Sequence, residues 1–255
     1  MARRCVYTAL YGAYDSLPPV PAGGMPCIAI ADPDSPPAEA HGWTLRPLPP
    51  RLPGDTVRSA RFAKLHPHLL LPEFDESLYL DCSVRLRQPP EAVFAALLDG
   101  QAAPMACCAH SHRSTVLDEV RAVLALGYDD PGLVRRQLED YAAQGMRGGG
   151  PLIWTGMLAR RHHDPALARF GTLWWEQVLR FSRRDQIAFP FLAEREGFAV
   201  AAHAIDNEDS PLHEWPVPRA RTRAPWRPAG AAPDPGLAAL IREISPSAAL
   251  DEAAN

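Results

Sequence analysis

No stretch of the sequence approaches the roughly 20 consecutive apolar residues that a membrane-spanning helix needs, which excludes a bilayer-crossing helix. The first expected strand starts at Arg4, leaving no space for a secretory leader and pointing to a cytoplasmic protein. A surplus of positive charge is missing too. With 26 Lys and Arg against 30 Asp and Glu, the net charge of -4 argues against a general nucleic-acid binder, because phosphate neutralisation needs a basic face. Cysteine is scarce and odd in number. The five thiols, Cys5, Cys27, Cys82, Cys107 and Cys108, fall in or beside expected strands, which suits reduced core residues better than a disulfide framework or a zinc site. Gly148-Gly149-Gly150 lacks the Gly-Lys-Ser/Thr ending and the following helix of a phosphate loop, and reads as a flexible link.

What is present is enough for one sizeable core: 47% hydrophobic and 22% charged residues. The 28 prolines cluster at 18–53 and 211–235. They mark a single domain over 1–215 and a Pro/Arg/Ala-rich tail over 216–255, with a short helix at 237–244. Strands are expected at 4–10, 27–32, 43–45, 77–84, 105–109, 152–160 and 197–203. Helices are expected at 56–65 after an Asp55 cap, at 90–98, at 114–126 after a Ser114 cap, and at 131–144. Two more follow, one after Asp164 that carries Trp174 and Trp175, and a short one headed by Asp185. Alternating elements of this kind give an α/β sheet.

The strand Ser77-Leu78-Tyr79-Leu80-Asp81-Cys82-Ser83-Val84 organises the rest. It delivers Asp81 and Ser83 to its C-terminal end, where open α/β sheets bind ligands. On a strand these two side chains point the same way and can face one divalent ion; the alternative is that Asp81 only forms a turn or caps a helix. Arg58, Arg61 and Lys64 recur every three residues, suiting either a diphosphate or a solvated basic face. At Tyr11-Gly12 the backbone can approach a ligand or simply turn. His110, His112 and Arg113 form either an anion or metal site or a solvated loop. Asp185 and Gln186 head a helix, as a cap or as functional groups. His203, Asp206 and His213 are possible ligands in an acidic loop.

Several of these words together resemble one family: Tyr7-Thr8-Ala9-Leu10-Tyr11-Gly12-Ala13-Tyr14-Asp15, then Arg61, Lys64 and Pro67-His68, then Asp81-Cys82-Ser83, then His110, Arg113 and Glu119, and finally Trp174-Trp175 with Ser182-Arg183-Arg184-Asp185-Gln186. The sequence is similar to the TOD1/MUCI70-type glycosyltransferase-like domains, named after plant members acting in cell-wall polysaccharide or pollen-tube biology. The resemblance implies a single GT-A-like domain with a mostly parallel sheet flanked by helices. It also implies a glycosyltransferase that moves a sugar from a UDP-sugar or other nucleotide-sugar to a hydroxyl acceptor such as a glycan. Thr8, Ala9, Tyr11, Gly12, Asp15, Arg58, Arg61, Lys64, His110 and Arg113 would then hold the nucleotide-sugar. Asp81, in the Asp-x-Asp-like position, would hold Mn²⁺ or Mg²⁺ with Ser83 and His213, Ser83 standing where the family usually carries asparagine. Asp185 would act as base or orient the acceptor, and Gln186 would bond sugar hydroxyls. The competing readings are a catalytically silent nucleotide or sugar binder on the same fold, and a metal-dependent hydrolase.

Overall fold

A computed structural model describes residues 2–12, 15–146 and 152–217, together with Gly236 and Leu240. The triple-glycine link, most of the tail and, apart from Leu240, its expected helix lie outside the described residues. The chain runs β1 (Arg4–Leu10), β2 (Cys27–Ala31), β3 (Thr44–Pro47), α1 (Thr56–Leu65), α2 (Pro67–Leu70), β4 (Glu76–Leu80), β5 (Arg85–Leu86), α3 (Pro90–Leu97) and β6 (Met105–Ala109). It continues with α4 (Val116–Ala125), α5 (Pro131–Ala143), β7 (Ile153–Arg160), α6 (Pro165–Arg180), α7 (Asp185–Glu196), β8 (Ala201–His203) and β9 (His213–Glu214).

Seven strands form the main sheet in the order β3-β2-β1-β4-β7-β6-β8, and β5 pairs with β9 in a separate ribbon. Among the described strands of the main sheet, β7 alone runs antiparallel to its neighbours β4 and β6, so the mostly parallel sheet with flanking helices is what the chain builds. Every residue of β4 is buried, as a strand covered on both faces requires. The period-two alternation sorts its side chains. Tyr7 and Tyr79 face the helix layer containing α1, α4, α5, α6 and α7, whereas Val6, Leu78 and Leu80 face the layer of α3. Trp174 and Trp175 pack in the first layer, and all five cysteines are buried thiols. None of the described helices is long and apolar enough to cross a membrane.

Local signals place most boundaries. Asp55, Asp130 and Asp164 accept backbone N–H groups at the heads of α1, α5 and α6. Three expectations are corrected. Thr115 rather than Ser114 caps α4, because Asp118 closes a reciprocal capping box with it. The strand expected at 197–203 is confined to Ala201–His203, because Gly197 instead closes α7 in a left-handed turn. The strand expected at 77–84 ends at Leu80, and Asp81 opens a turn closed by the Val84 N–H on the Asp81 carbonyl.

Gly171 lets α6 lie directly on α1, since a Cβ there would sit 2.5 Å from the Leu65 carbonyl oxygen. Gly171→Ala is therefore expected to cost about 1–3 kcal/mol of stability through forced separation of the helices. The readout is the urea midpoint, and an unchanged midpoint would show that the pair can part without loss.

Candidate active site

The chain leaves β1 toward β2 and β3 on one side and returns as β4 on the other, so the strand order reverses between β1 and β4. A crevice at the C-terminal ends of such strands is where open α/β sheets bind ligands. A cleft of about 400 Å³ opens there. Its walls include Ala9 and Tyr11 from the end of β1, Asp81 and Ser83 after β4, and His110 and Arg113 after β6. Because β7 runs the other way, its beginning, with Trp154 to Gly156, reaches the same edge.

Of the residues expected to hold a nucleotide-sugar, Ala9, Tyr11, Asp15, Arg61, His110 and Arg113 line this cleft. Thr8 does not: it is buried with its hydroxyl 3.3 Å from the Cys82 sulfur. Gly12 is a passage rather than a contact. It sits at φ +70°, and a Cβ there would meet Thr56 at 2.7 Å. Arg58 is spent on structure, donating to the carbonyls of Val178 (2.7 Å) and Phe181 (2.6 Å) and pairing with Asp55, which staples α1 to the end of α6.

Lys64 and Asp185 are a buried ion pair. Lys64 is 0% exposed, and its Nζ lies 2.7 Å from Asp185 Oδ2 and 3.9 Å from Asp81 Oδ1. Arg61 Nε is 3.5 Å from the other oxygen of Asp185. Burial alone would raise the Asp185 carboxyl, but Arg61 and Lys64 hold it well below the usual carboxylate range. A fully buried carboxylate locked between two cations cannot reach an acceptor, so the role of base expected of Asp185 is withdrawn. Gln186 borders the cleft, yet its amide donates to the Ile153 carbonyl (3.1 Å) and its oxygen accepts from Arg184 (2.9 Å). It orients Arg184 and tethers α7 to β7 at the edge of the cleft.

The metal set expected from the sequence does not assemble either. The turn after β4 breaks the shared strand face of Asp81 and Ser83, and the Ser83 hydroxyl accepts the Trp215 indole N–H at 3.0 Å. His213 is 0% exposed, stacked on Trp154, with Nδ1 2.9 Å from the Ser210 hydroxyl and Nε2 3.0 Å from the Asn207 carbonyl. Neither ring nitrogen is left for a cation. Among the described residues no three His, Cys, Asp or Glu side chains are grouped to hold a metal ion. Asp81 remains, one-third exposed, accepting the Tyr79 hydroxyl on Oδ1 at 2.8 Å. Asp81 alone is a sparse protein donor set for a divalent ion, which would draw its other oxygens from substrate phosphates and water.

The arrangement that sequence reasoning missed is centred on Glu119. This carboxylate, fully buried in α4, takes Arg113 on Oε2 and Arg184 on Oε1, and both arginines line the cleft. The five-residue word at the head of α7 is thus divided. Ser182 and Arg183 bind Asp129, Arg184 and Gln186 serve the arginine pair, and Asp185 closes the Lys64 pair. Arg184 stands 65 residues after Glu119, so no local pattern signals that the two meet. Only the two arginines beside an acid in Arg183-Arg184-Asp185 hint at a charge network. Burial, and then the Arg113 charge, push His110 down to about 4, so it is neutral at pH 7.

Residues 51–203 match the family described as TOD1/MUCI70, glycosyltransferase-like domain. The curated protein "Probable hexosyltransferase MUCI70" of Arabidopsis thaliana is 28% identical over 148 residues, 55% of this chain and 26% of that protein. The chain therefore spans only about a quarter of the length of that relative. Among solved structures, mouse xyloside xylosyltransferase 1 in its apo form aligns over 78% of this chain and 84% of its own, at 11% identity and a TM-score of 0.48. The apo WbbM bifunctional glycosyltransferase aligns over 79% and 39%, at 9% identity and a TM-score of 0.47. At that identity neither likeness speaks to substrate.

Proposed function

The chain belongs to the TOD1/MUCI70 glycosyltransferase-like domain family, and on that footing we propose that its cleft takes a nucleoside-diphosphate sugar, a UDP-sugar first among them, and transfers the sugar to a hydroxyl of a glycan or similar acceptor. What supports this reading is the cleft itself: cationic and carboxylate side chains converge at the point where the strand order reverses. In the reaction the bond between the anomeric carbon and the diphosphate oxygen breaks while the acceptor oxygen bonds to that carbon and gives up its proton. The leaving diphosphate gains negative charge, which fixed cations stabilise. Arg61, Arg113 and Arg184, which line the cleft, are assigned this role. Asp81 is assigned to sugar or acceptor hydroxyls, since its two protein neighbours, Tyr79 and Lys64, both sit on Oδ1.

Release of nucleoside diphosphate from a panel of UDP- and GDP-sugars, with and without glycan acceptors, tests the proposal. Asp81→Asn keeps the shape and is expected to slow turnover by roughly 100-fold or more, the usual size of a lost acid–base or orienting carboxylate. Turnover with none of the donors would sink the transfer reading. Nucleotide binding without turnover would favour the silent-binder alternative, which the burial of Asp185 makes a real competitor. An Asp81→Asn variant that turns over like the parent would remove Asp81 from the chemistry.

A further inference from the structure

Binding a diphosphate requires about two negative charges to be met in or beside the cleft, by a metal ion or by fixed protein cations. The carboxylates here are already committed to protein cations: Asp185 to Lys64 and Arg61, and Glu119 to Arg113 and Arg184. Asp81, the carboxylate nearest these at the sheet edge, has the Lys64 ammonium at 3.9 Å. Lys64, enclosed behind Asp81, already gives that carboxylate a protein counter-charge. The arginine pair, in contrast, has capacity to spare. Arg184 uses only Nη2 on Glu119 and Gln186, and its buried Nε has no hydrogen-bond partner among the described residues. Arg113 is held to Glu119 through Nη1, which also lies 3.2 Å from His110 Nε2. One buried carboxylate thus fixes two guanidinium groups, leaving a net positive charge at the cleft wall.

We propose that this protein binds its nucleoside diphosphate without a divalent metal, the Arg113–Glu119–Arg184 clamp supplying the charge neutralisation and the buried Lys64 standing between Asp81 and Asp185. Glu119 is a positioning residue: it presents the planar forks that match phosphate oxygens two at a time. The inference rests on the glycosyl-transfer reading of the cleft. Glu208, at the cleft rim, lies 3.1 Å from His112 Nε2.

The test uses the full chain with UDP and GDP as probes, each titrated by calorimetry and by thermal shift, in excess EDTA and again in Mn²⁺. A ligand that binds only the folded state raises the melting temperature, so the two readouts must agree. The expected result is the same dissociation constant in both buffers, within about twofold. Arg184→Gln and Arg113→Gln are each expected to weaken it by roughly tenfold or more, the loss of one charge-assisted contact. Arg184→Lys keeps the charge but not the fork and should fall between. Circular dichroism checks that the variants are folded, and the lysine variant serves if Arg184→Gln is not. Binding that appears only with Mn²⁺ would overturn the metal-free site while leaving glycosyl transfer standing. Binding to neither nucleotide in either buffer would overturn both. Metal-free binding that Arg113→Gln and Arg184→Lys leave unchanged would overturn the clamp.

Discussion

Asp185→Ala is expected to destabilise the fold by about 3–5 kcal/mol, the cost of leaving a buried charge without its partner. The reason is local. Lys64 is wholly enclosed, and its Nζ has Asp185 at 2.7 Å as its near counter-ion, with Asp81 more distant at 3.9 Å. Removing the carboxylate also leaves Arg61 facing Lys64. The same region holds up the end of α1, where the Lys64 carbonyl accepts from the Tyr7 hydroxyl and from Arg160, both at 2.8 Å. Urea unfolding at pH 7 measures the loss. Replacing both charges together, as in Lys64→Met with Asp185→Ala, should recover a good part of it, because an absent pair leaves no orphan. If Asp185→Ala unfolds within about 1 kcal/mol of the parent, the pair is not the fixed point of α1 and α7 described above. The functional consequence is separable: a carboxylate with a purely structural role lowers stability without changing the pH profile of turnover by the surviving folded protein.

Stability should also fall steeply between pH 6.5 and 4. His66, His110 and His162 are each pushed down to about 4, above all by burial. Their surroundings oppose a charge. His66 stacks on Phe62 at 4.4 Å with Arg51 and Arg160 among its cationic neighbours, while His162 sits between the Ser77 hydroxyl and the Phe74 carbonyl, also near Arg160. The unfolded chain takes up protons near pH 6.5. The folded chain refuses them until pH approaches 4, so the unfolded state binds more protons in that window and gains as pH drops. The stability is fully present above 6.5. At pH 5 the loss is on the order of 2 kcal/mol for each fully buried histidine, less for the partly exposed His110. Urea midpoints at pH 7, 6 and 5 follow it, and His66→Gln with His162→Gln should flatten the curve. A midpoint that does not move between pH 7 and 5 would mean these rings titrate normally.

Much of the architecture was legible in the residues. The caps Asp55, Asp130 and Asp164 and the apolar runs of β1, β4 and β6 are local signals, and the elements appear where those signals stand. The cleft was legible in part. Asp81, Arg61, His110 and Arg113 meet because strand ends of an α/β sheet share one edge. Side-chain exposure was not legible. Lys64 follows Arg58 and Arg61 at the same spacing, yet one staples helices, one borders the cleft and one is sealed in the core.

Sequence alone therefore determined most of the elements, though not α2 or the β5–β9 ribbon, together with the α/β class and the family, because hydrogen bonding and side-chain period act within a few residues. Tertiary structure decided which charges meet solvent and which meet each other. Lys64 with Asp185, Glu119 with Arg184 and His213 with Trp154 each join segments distant in the chain. Whether such a group is a ligand or a strut depends on what packs over it, and no spacing along the chain carries that information.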